Sequence, residues 1–362
     1  MNVLMLSRDS ALFREESAFR LRAREYARLF SRLVIVAEGR EKFEEGTLVG
    51  VPAWSRGAIG FYFTGARILR KKLPEDSWVI TAQEEITGLA ALFLSWRFNI
   101  PWQYQVHTDI LNPYLRKESW KQAIRVRIAQ MLLKRASRIR VVSERIKRTI
   151  HTRRPVDILP ITVELGSYYE VGAHRSYEDP VGEFVFLVAS RLSQEKNILM
   201  IIRAFERILK DYPRTLLRIV GDGPERAMLE DYVRIQKLGT HVQFEGWIDD
   251  PVRFFASDHC FVSASWYEGY GLSLVQAMAS GMPIVTTDVG VVGELLKDNI
   301  SGLVVEVGDE GNFLRELLRV RKDFSIRWGI GTEAYKKAQT LSTQEEYLLM
   351  FKDLLVRCTR NV

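Results

Sequence analysis

Short runs of apolar and β-branched residues recur along the chain, and a stretch with helical spacing follows most of them. In the first half these runs occupy residues 2–7, 32–38, 78–82, 102–108, 138–143 and 156–160. In the second half they occupy residues 183–190, 216–222, 242–247, 259–265, 283–288 and 302–307. Strand-like runs that alternate with helical patterns are typical of βαβ units. The pattern therefore predicts parallel sheets that are covered by helices on both faces.

A stretch without clear periodicity, residues 166–182, separates the two series. We therefore predict an α/β protein with two Rossmann-like, doubly wound domains, one over residues 1–168 and one over residues 182–340. The length of 362 residues agrees with this division, because an ordinary domain has roughly 100 to 200 residues. Residues 342–355 are expected to form a further amphipathic helix that starts with a capping box.

Composition argues against several classes of protein. The longest strongly apolar run, residues 88–96, is shorter than the ~18 residues that a membrane-spanning helix needs. The N-terminus lacks the basic start, the long apolar stretch and the cleavage site of a secretory signal. Cys260 and Cys358 are the two cysteines, too few for a disulfide framework. We therefore expect a cytoplasmic protein, with peripheral contact at the inner face of the membrane as an open alternative.

Positive charge is concentrated in one block of the first half. Residues 116–154 contain 14 Lys and Arg residues and two acids, whereas the whole chain has a net charge of +7. Such a block attracts anionic partners, such as lipid headgroups, polyphosphates or nucleic acid. The alternative is a solvated, arginine-rich helical face.

Within this block, residues 119–136 have the pattern of an amphipathic helix. Apolar residues recur at helical spacing, and basic residues surround them. The apolar residues are Trp120, Ile124, Ile128, Met131 and Leu132, and the basic ones include Arg125 and Arg127. This composition suits a helix that lies on an anionic membrane beside a lipid-linked acceptor. The alternative is that the apolar face belongs to the protein core.

Candidate ligand-binding residues follow the predicted strands of the second half. In open α/β sheets, ligands bind beyond the carboxyl ends of the strands. The residues at these positions are Arg191 and Lys196, Gly221 to Gly223, Gly246 and Trp247, and Glu268 to Gly271. A diphosphate needs backbone N–H groups at a helix N-terminus together with Arg or Lys side chains, and these loops contain both. Taken singly, the glycines are also compatible with plain turns and Lys196 with a solvated surface lysine.

Together and in this order, these pieces resemble the donor-binding domain of the GT-B fold glycosyltransferases, in particular the retaining family 4, or glycosyl transferases group 1. The resemblance covers residues 184–307. It rests on the segments ASRLSQEKN, LRIVGDGPER, VQFEGWIDD, SWYEGYGLSLVQAMASGMPIVTTDVGVVGELL and NISGLVVEVGD.

The resemblance implies a role for each residue that matches the family pattern. Arg191 and Lys196 would clamp the donor diphosphate, and the Glu268 carboxylate would lie near the hydroxyls of the donor sugar. Backbone amides of the loop would contact the phosphate and the sugar; these belong to Gly269, Tyr270, Gly271 and Leu272. The remaining donor-binding positions are Gly221 and, beside the base, Trp247 and Ile248.

The chain departs from the family pattern at Gln276. Most members have a second acid at this position, which accepts hydrogen bonds from the ribose hydroxyls. A glutamine oxygen still accepts one such bond, but without charge. We therefore expect weaker or altered donor affinity and retained activity.

The first half resembles the family more loosely. The segment QYQVHTD ends a strand at His107, where many members keep a histidine; the resemblance implies a catalytic or sugar-contacting role, against a purely structural one. In place of the usual glycine-rich turn, the first strand is followed by a segment with Ser17, Arg20 and Arg24 on one helical face. These residues are candidates for holding an acidic acceptor or the donor diphosphate. The alternative is a solvated face in which Glu16 pairs with Arg20.

The resemblance implies a glycosyltransferase whose two domains face a cleft, with the segment 341–362 crossing back to the N-terminal domain. The expected partners are a nucleotide-diphosphate sugar and a lipid-linked or cell-envelope glycan acceptor, with retained anomeric configuration. We expect no nucleic-acid partner. No cofactor or metal is expected, because the chain has no Asp-x-Asp triad and no Cys or His cluster with metal spacing.

Other classes stay open at this point. A nucleotide-sugar epimerase or a phosphorylase of the same fold is one alternative, and a noncatalytic protein that binds nucleotide sugars or polyanions is another. A nicotinamide dehydrogenase is disfavoured, because neither half has G-x-G-x-x-G after its first strand.

Overall fold

The computed structural model describes residues 1–72 and 77–360. The chain forms two compact units. The first unit comprises Met1–Pro160 together with the segment that begins at Ser342, and the second comprises Ile161–Leu341.

The centre of the first unit is a sheet to which the described residues contribute eight strands. In chain order they are β1 (Asn2–Leu6), β2 (Arg32–Ala37), β3 (Phe43–Glu45), β4 (Leu48–Pro52), β5 (Trp78–Gln83), β6 (Trp102–Val106), β7 (Arg138–Val141) and β8 (Val156–Ile158). Across the sheet the order is β3-β4-β2-β1-β5-β6-β7-β8. The pairs are parallel except for β3 with β4. The strands β1, β5 and β6 are almost entirely buried, as expected for a sheet that is covered on both faces.

Six of these strands coincide with the predicted runs, whereas sequence analysis missed β3 and β4. The strand β3 has three residues and forms the edge of the sheet, where the polar Glu44 is exposed. An edge strand this short and polar has no apolar run to reveal it.

Helices flank the first sheet. They are α1 (Ala18–Ala27), α2 (Ala58–Lys72), α3 (Glu85–Phe98), α4 (Pro113–Glu118), α5 (Trp120–Arg135) and α6 (Glu144–Thr149). The helix α1 begins after Ser17, whose hydroxyl oxygen accepts a hydrogen bond from the Arg20 backbone N–H at 3.1 Å. The helices α2 and α5 both pack against α3.

The second unit contains a parallel sheet, to which residues 161–341, all described, contribute six strands. They are β9 (Phe184–Ala189), β10 (Thr215–Val220), β11 (Val242–Gly246), β12 (Cys260–Ser263), β13 (Ile284–Thr287) and β14 (Leu303–Val305). The order across the sheet is β11-β10-β9-β12-β13-β14. Apart from Thr215 at the start of β10, these strands lie in predicted runs, so the prediction of two Rossmann-like parallel α/β sheets is confirmed.

The helices of the second unit are α7 (Gly166–Ala173), α8 (Ile198–Asp211), α9 (Arg226–Ile235), α10 (Val252–Ser257), α11 (Leu272–Ala279), α12 (Glu310–Lys322) and α13 (Phe324–Ala338). The helix α7 explains why the boundary between the units falls at Pro160 and not near the expected residue 168. Tyr168 is 4% exposed and packs edge-on against Phe255 of α10, with ring centroids 5.2 Å apart. This burial ties the segment after Pro160 to the second unit.

The final helix, α14 (Gln344–Thr359), lies in the first unit. It begins at Thr343 with a complete capping box to Glu346. Phe351 is 1% exposed and stacks on Tyr26 of α1, with ring centroids 4.6 Å apart. The hydrophobic core of the first unit is therefore completed by residues from the far end of the chain.

Candidate active site

The strand order of the second sheet creates a topological switch point. From β9 the chain adds β10 and β11 on one side, and then β12, β13 and β14 on the other. The loops that follow β9 and β12 therefore diverge at the carboxyl edge of the sheet and leave a crevice, which is where open α/β sheets bind ligands. Arg191 and Lys196 follow β9, and Glu268 follows β12. These three predicted residues thus lie on the two loops of the switch point.

Lys196 and Glu268, which are 72 positions apart, form an ion pair. The Lys196 ammonium donates to Glu268 Oε1 at 2.5 Å, and the two side chains are 19% and 18% exposed. The Ser265 hydroxyl donates to the same carboxylate oxygen at 2.9 Å, and the Ser265 carbonyl accepts from the Thr287 hydroxyl at 2.7 Å. The carboxylate is therefore fixed by two loops and by the strand β13. This is the arrangement of a preorganised polar site.

Arg191 differs from Lys196 in its surroundings. Its side chain is exposed, and no hydrogen bond or ion pair links it to another described residue. The neighbouring Leu192 is buried, and its backbone N–H donates to the Asp222 carbonyl at 3.0 Å while its own carbonyl accepts from the Glu225 N–H at 3.0 Å. The loop that carries Arg191 is thus anchored to the loop after β10, and the guanidinium is left free to contact a ligand.

The loop between Glu268 and α11 has the backbone geometry of a helix start. Gly271 has φ +90°, a conformation that residues with a Cβ rarely adopt, and it precedes the first turn of α11. No side chain caps this turn, so its backbone N–H groups remain available to an anion. Leu272 is 38% exposed at this end, whereas Tyr270 is buried and its desolvated hydroxyl has a raised pKa.

Gln276 lies one turn further along α11 than Leu272, on the same side of the helix. Its side chain is half-buried, and its backbone carbonyl accepts hydrogen bonds from the N–H and the hydroxyl of Ser280. The position therefore borders the accessible end of the helix, without a described side-chain partner for its amide.

The remaining donor-binding candidates lie along the same edge of the sheet. The Gly221 backbone N–H donates to the Gly246 carbonyl at 2.8 Å, so this amide holds neighbouring loops together and is not free for a ligand. Trp247 follows the edge strand β11, is 66% exposed, and donates from its indole N–H to Asp249 at 2.9 Å. Ile248 beside it is half-buried.

In the first unit, His107 follows β6 and joins a polar network. Its Nε2–H donates to Gln105 Oε1 at 3.0 Å, and the buried Arg140 donates to the same oxygen at 3.1 Å. Burial and the nearby guanidinium groups of Arg140 and Arg22 lower the pKa of His107 to about 3. The imidazole is therefore neutral near pH 7, with Nδ1 as a hydrogen-bond acceptor.

The structure assigns Arg20 and Arg24 to an internal ion pair, which sequence analysis did not anticipate. Both guanidinium groups donate to the Glu45 carboxylate, at 2.9 Å from Arg24 Nε, and Arg20 also lies over the Phe43 ring. These two arginines lower the pKa of Glu45 to about 2. Both arginines bind Glu45, and Ser17 is the N-cap of α1, so all three residues make structural contacts. The alternative interpretation paired Arg20 with Glu16, whereas the structure pairs it with Glu45.

Two groups at the carboxyl edge of the first sheet escaped sequence analysis. Arg22 is half-buried and near enough to His107 to affect its pKa. Glu84, directly after β5, has φ +74° and ψ 170°, a combination that is essentially restricted to glycine. Its carboxylate lies 3.6 Å from Arg8, which also binds Glu38 at 3.0 Å. No sequence pattern reports such backbone strain.

The helix α5 matches its predicted amphipathic pattern in part. Trp120 and Ile124 are exposed, at 71% and 46%, and Met131 is 39% exposed, whereas Leu132 is fully buried and belongs to the core. Arg125 pairs with the buried Glu85 of α3 at 2.9 Å, whereas Arg127 is exposed. An exposed apolar and basic strip therefore remains on the N-terminal half of the helix.

Residues 1–72 and 77–360 contain neither a metal-binding cluster of side chains nor a helix that could cross a membrane. No group of three or more His, Cys, Asp and Glu side chains is arranged to hold a metal ion there. Within the same ranges, no helix combines the length and apolar character needed to cross a membrane.

Comparison with known proteins relates both units to one class. The family model described as "Glycosyl transferases group 1" matches residues 173–337, and the "Glycosyl transferase 4-like domain" model matches residues 16–163. Sucrose-phosphate synthase from Thermosynechococcus elongatus superimposes with a TM-score of 0.83 at 18% identity over 100% of both chains. Anabaena Alr3699/HepE in complex with UDP-glucose superimposes with a TM-score of 0.75 at 16% identity over 100% of both chains.

Two parallel α/β sheets with these neighbours define the GT-B fold class. Within that class, the chain belongs to the glycosyl transferases group 1. Poly(glycerol-phosphate) alpha-glucosyltransferase of Bacillus subtilis is 28% identical over 164 residues, or 45% of this chain and 24% of that protein. The chain spans less than half of the length of each of the first curated relatives that it matches.

Proposed function

We propose that the protein transfers a sugar from a nucleotide-diphosphate sugar to an acceptor, with its donor site at the switch point of the second unit. The ion pair between Lys196 and Glu268 is the observation that carries this proposal, because it joins a phosphate-binding cation and a sugar-binding carboxylate at one point. The similarity of fold to a protein with bound UDP-glucose supports a donor of this chemical class.

The proposed donor contacts use separate groups for the diphosphate and the sugar. A lysine ammonium has three N–H donors, so Lys196 can keep its bond to Glu268 and also contact a phosphate oxygen. Arg191 and the first-turn amides of α11 supply the other phosphate contacts. Glu268 accepts hydrogen bonds from sugar hydroxyls, and Gln276 accepts one from the ribose.

The proposed chemistry is a substitution at C1 of the donor sugar. The bond from C1 to the phosphate oxygen breaks through an oxocarbenium-like transition state, and the diphosphate leaves with the electron pair. The acceptor hydroxyl bonds to C1 from the same face, and its proton passes to the departing phosphate oxygen, so that the configuration is retained. The main contribution of the protein is stabilisation of the leaving diphosphate by Lys196, Arg191 and helix amides, without a metal ion. Neutral His107 is proposed to hydrogen-bond a hydroxyl of the sugar or the acceptor.

For the acceptor, we propose a lipid-linked or cell-envelope glycan at an anionic membrane surface. Support comes from the exposed Trp120 and Ile124 of α5, next to the exposed Lys121 and Arg127. Sedimentation with phosphatidylglycerol vesicles tests this contact. Combined Trp120→Ala and Ile124→Ser substitution is expected to reduce binding, whereas Ile235→Ser, at a 65% exposed position of the second unit, is expected to leave it unchanged. Equal vesicle binding by the unsubstituted protein, the double variant and the Ile235→Ser control would contradict the proposed membrane contact.

The donor site is tested with UDP-glucose and a panel of other nucleotide sugars. At a hundredfold excess over its dissociation constant, a ligand stabilises the folded state by about 2.7 kcal/mol, so the true donor raises the melting temperature. Lys196→Ala is expected to lower donor affinity and turnover by more than about tenfold without unfolding the protein.

Lys210→Ala is the matched control, because Lys210 is an exposed lysine on α8 of the same unit. Unchanged donor affinity in Lys196→Ala would contradict the proposed site. Interconversion of the donor sugar without any acceptor would indicate an epimerase, and binding without turnover of any acceptor tested would indicate a noncatalytic protein.

A further inference from the structure

A basic cavity lies at the edge of the first sheet opposite to His107. It is lined by Lys134, Ile150, His151, Thr152, Arg153 and Arg154, and has a volume of about 810 Å³. Lys134 belongs to the last turn of α5, which leads into the amino end of β7, and residues 150–154 lead into the amino end of β8. His107 follows the carboxyl end of β6, which is parallel to β7. The cavity is therefore at the amino edge of the first sheet, and His107 is at its carboxyl edge.

The positive charges of this cavity are not neutralised by neighbouring acids. No ion pair links Lys134, Arg153 or Arg154 to a described residue. Asp157, the nearest acid along the chain, is already bound by Arg138 through two contacts of 2.7 and 3.2 Å. Like charges that are gathered without counter-charges repel one another, and an anionic ligand relieves this repulsion.

The backbone around the cavity is held in place. The Thr152 hydroxyl donates to the Leu133 carbonyl at 2.8 Å, and Arg154 Nε donates to the Lys134 carbonyl at 3.2 Å. The buried Leu133 and Ile150 anchor the two segments in the core. The contact of Arg154 with the Lys134 carbonyl is explained by its position, because a cation stabilises the C-terminus of a helix such as α5. Stabilisation of this helix end does not explain why the exposed side chains of His151 and Arg153 lie on the same concave surface as Lys134.

We propose that this cavity is a second anion-binding site and takes a ligand with two or more phosphate groups. Arg and Lys are the side chains that bind phosphate oxygens best, and the volume exceeds that needed by a single phosphate. The ligand is either a soluble diphosphate or polyphosphate, or the phosphate groups of a lipid headgroup; the chemistry of recognition is the same. The site is independent of the proposed donor site.

Titration of the full chain with inorganic pyrophosphate tests the proposal. The measurement is made in the Lys196→Ala background. This substitution weakens pyrophosphate binding at the proposed donor site, so that the remaining binding reports on the second site. Combined Lys134→Glu and Arg153→Glu substitution is expected to weaken pyrophosphate binding more than tenfold. Neither side chain makes a hydrogen bond to another described residue, so the fold is expected to persist, which the far-UV circular dichroism spectrum verifies. Should the double substitution unfold the chain, Arg153→Gln alone is expected to weaken binding about threefold.

The control is Arg207→Glu together with Lys210→Glu, which reverses two exposed charges on α8 and is expected to retain binding. If binding to vesicles that contain cardiolipin, a lipid with two phosphate groups, falls together with pyrophosphate binding, the natural ligand is a lipid headgroup. If only pyrophosphate binding falls, the ligand is soluble. Absence of pyrophosphate binding in the Lys196→Ala background, or equal losses in the cavity and control variants, would overturn the proposal, whatever the outcome for the donor site.

Discussion

At the scale of single residues, the site combines a fixed ion pair with a free cation. Glu268 is held by Lys196 and Ser265, whereas Arg191 is exposed and unpaired among the described residues. The fixed charge of Lys196 needs no reorganisation when negative charge develops on a ligand. The exposed guanidinium of Arg191 has no described partner to leave before it contacts a ligand. Lys196 is therefore the residue whose loss should affect turnover most.

Gln276 offers the most direct test of how this chain differs from its family. Gln276→Glu is expected to raise donor affinity several-fold, since a charged acceptor forms stronger hydrogen bonds to ribose hydroxyls than a neutral one, by about 1 kcal/mol. The measurement is isothermal titration with the nucleotide sugar that stabilises the protein. Gln276→Ala, which removes the acceptor, should lower the affinity. If neither substitution changed the dissociation constant, a ribose contact at this position would be excluded.

At the scale of elements, close contact between loops shapes the proposed donor site. Gly290, after β13, has φ +58°, and a Cβ at this position would lie 2.6 Å from the Tyr270 carbonyl oxygen and 3.1 Å from Glu268 Cβ. A backbone atom cannot rotate away as the end of a side chain can. Any side chain at this position would therefore displace the loop that carries Glu268.

Gly290→Ala is accordingly expected to lower donor affinity and turnover by about tenfold or more. Gly293→Ala is the matched control. Gly293 also has a positive φ, +85°, but its Cβ would have no atom within 4 Å. This control should cost about 1 kcal/mol of stability through backbone strain and leave donor affinity unchanged. Equal affinities in the two variants would show that the contact with the Glu268 loop does not matter for binding.

At the scale of the whole molecule, the first unit depends on both ends of the chain. Phe351 and Tyr347 of α14 pack with Tyr26 of α1 in the core of this unit, while residues 161–341 form the other unit between them in sequence. The first unit therefore cannot complete its core until α14 has been synthesised. A loss of packing at Phe351 should therefore destabilise strands that are more than 250 positions away in sequence.

Phe351→Ala is expected to destabilise the first unit by about 3–5 kcal/mol, because it removes a large buried aromatic side chain. Hydrogen exchange should show lost protection in β1, β2 and β5, with β9 and β10 of the second unit less affected. Leu349→Ala, on the same helix at a 59% exposed position, should leave protection unchanged. Uniform loss of protection in both units would contradict an independent core.

The sequence by itself determined most strands of the two sheets and the loops on which the candidate site residues lie. Buried parallel strands are continuous apolar runs, so local pattern was sufficient for β1, β9 and β12 and for placing Lys196 and Glu268 on the loops that follow β9 and β12. Only the tertiary structure decided which charges pair. Glu45 pairs with Arg20 and Arg24, Leu132 belongs to the core, and Glu84 is strained. Ion pairing, burial and backbone strain depend on distances between segments that are remote in sequence, and no local pattern encodes these distances.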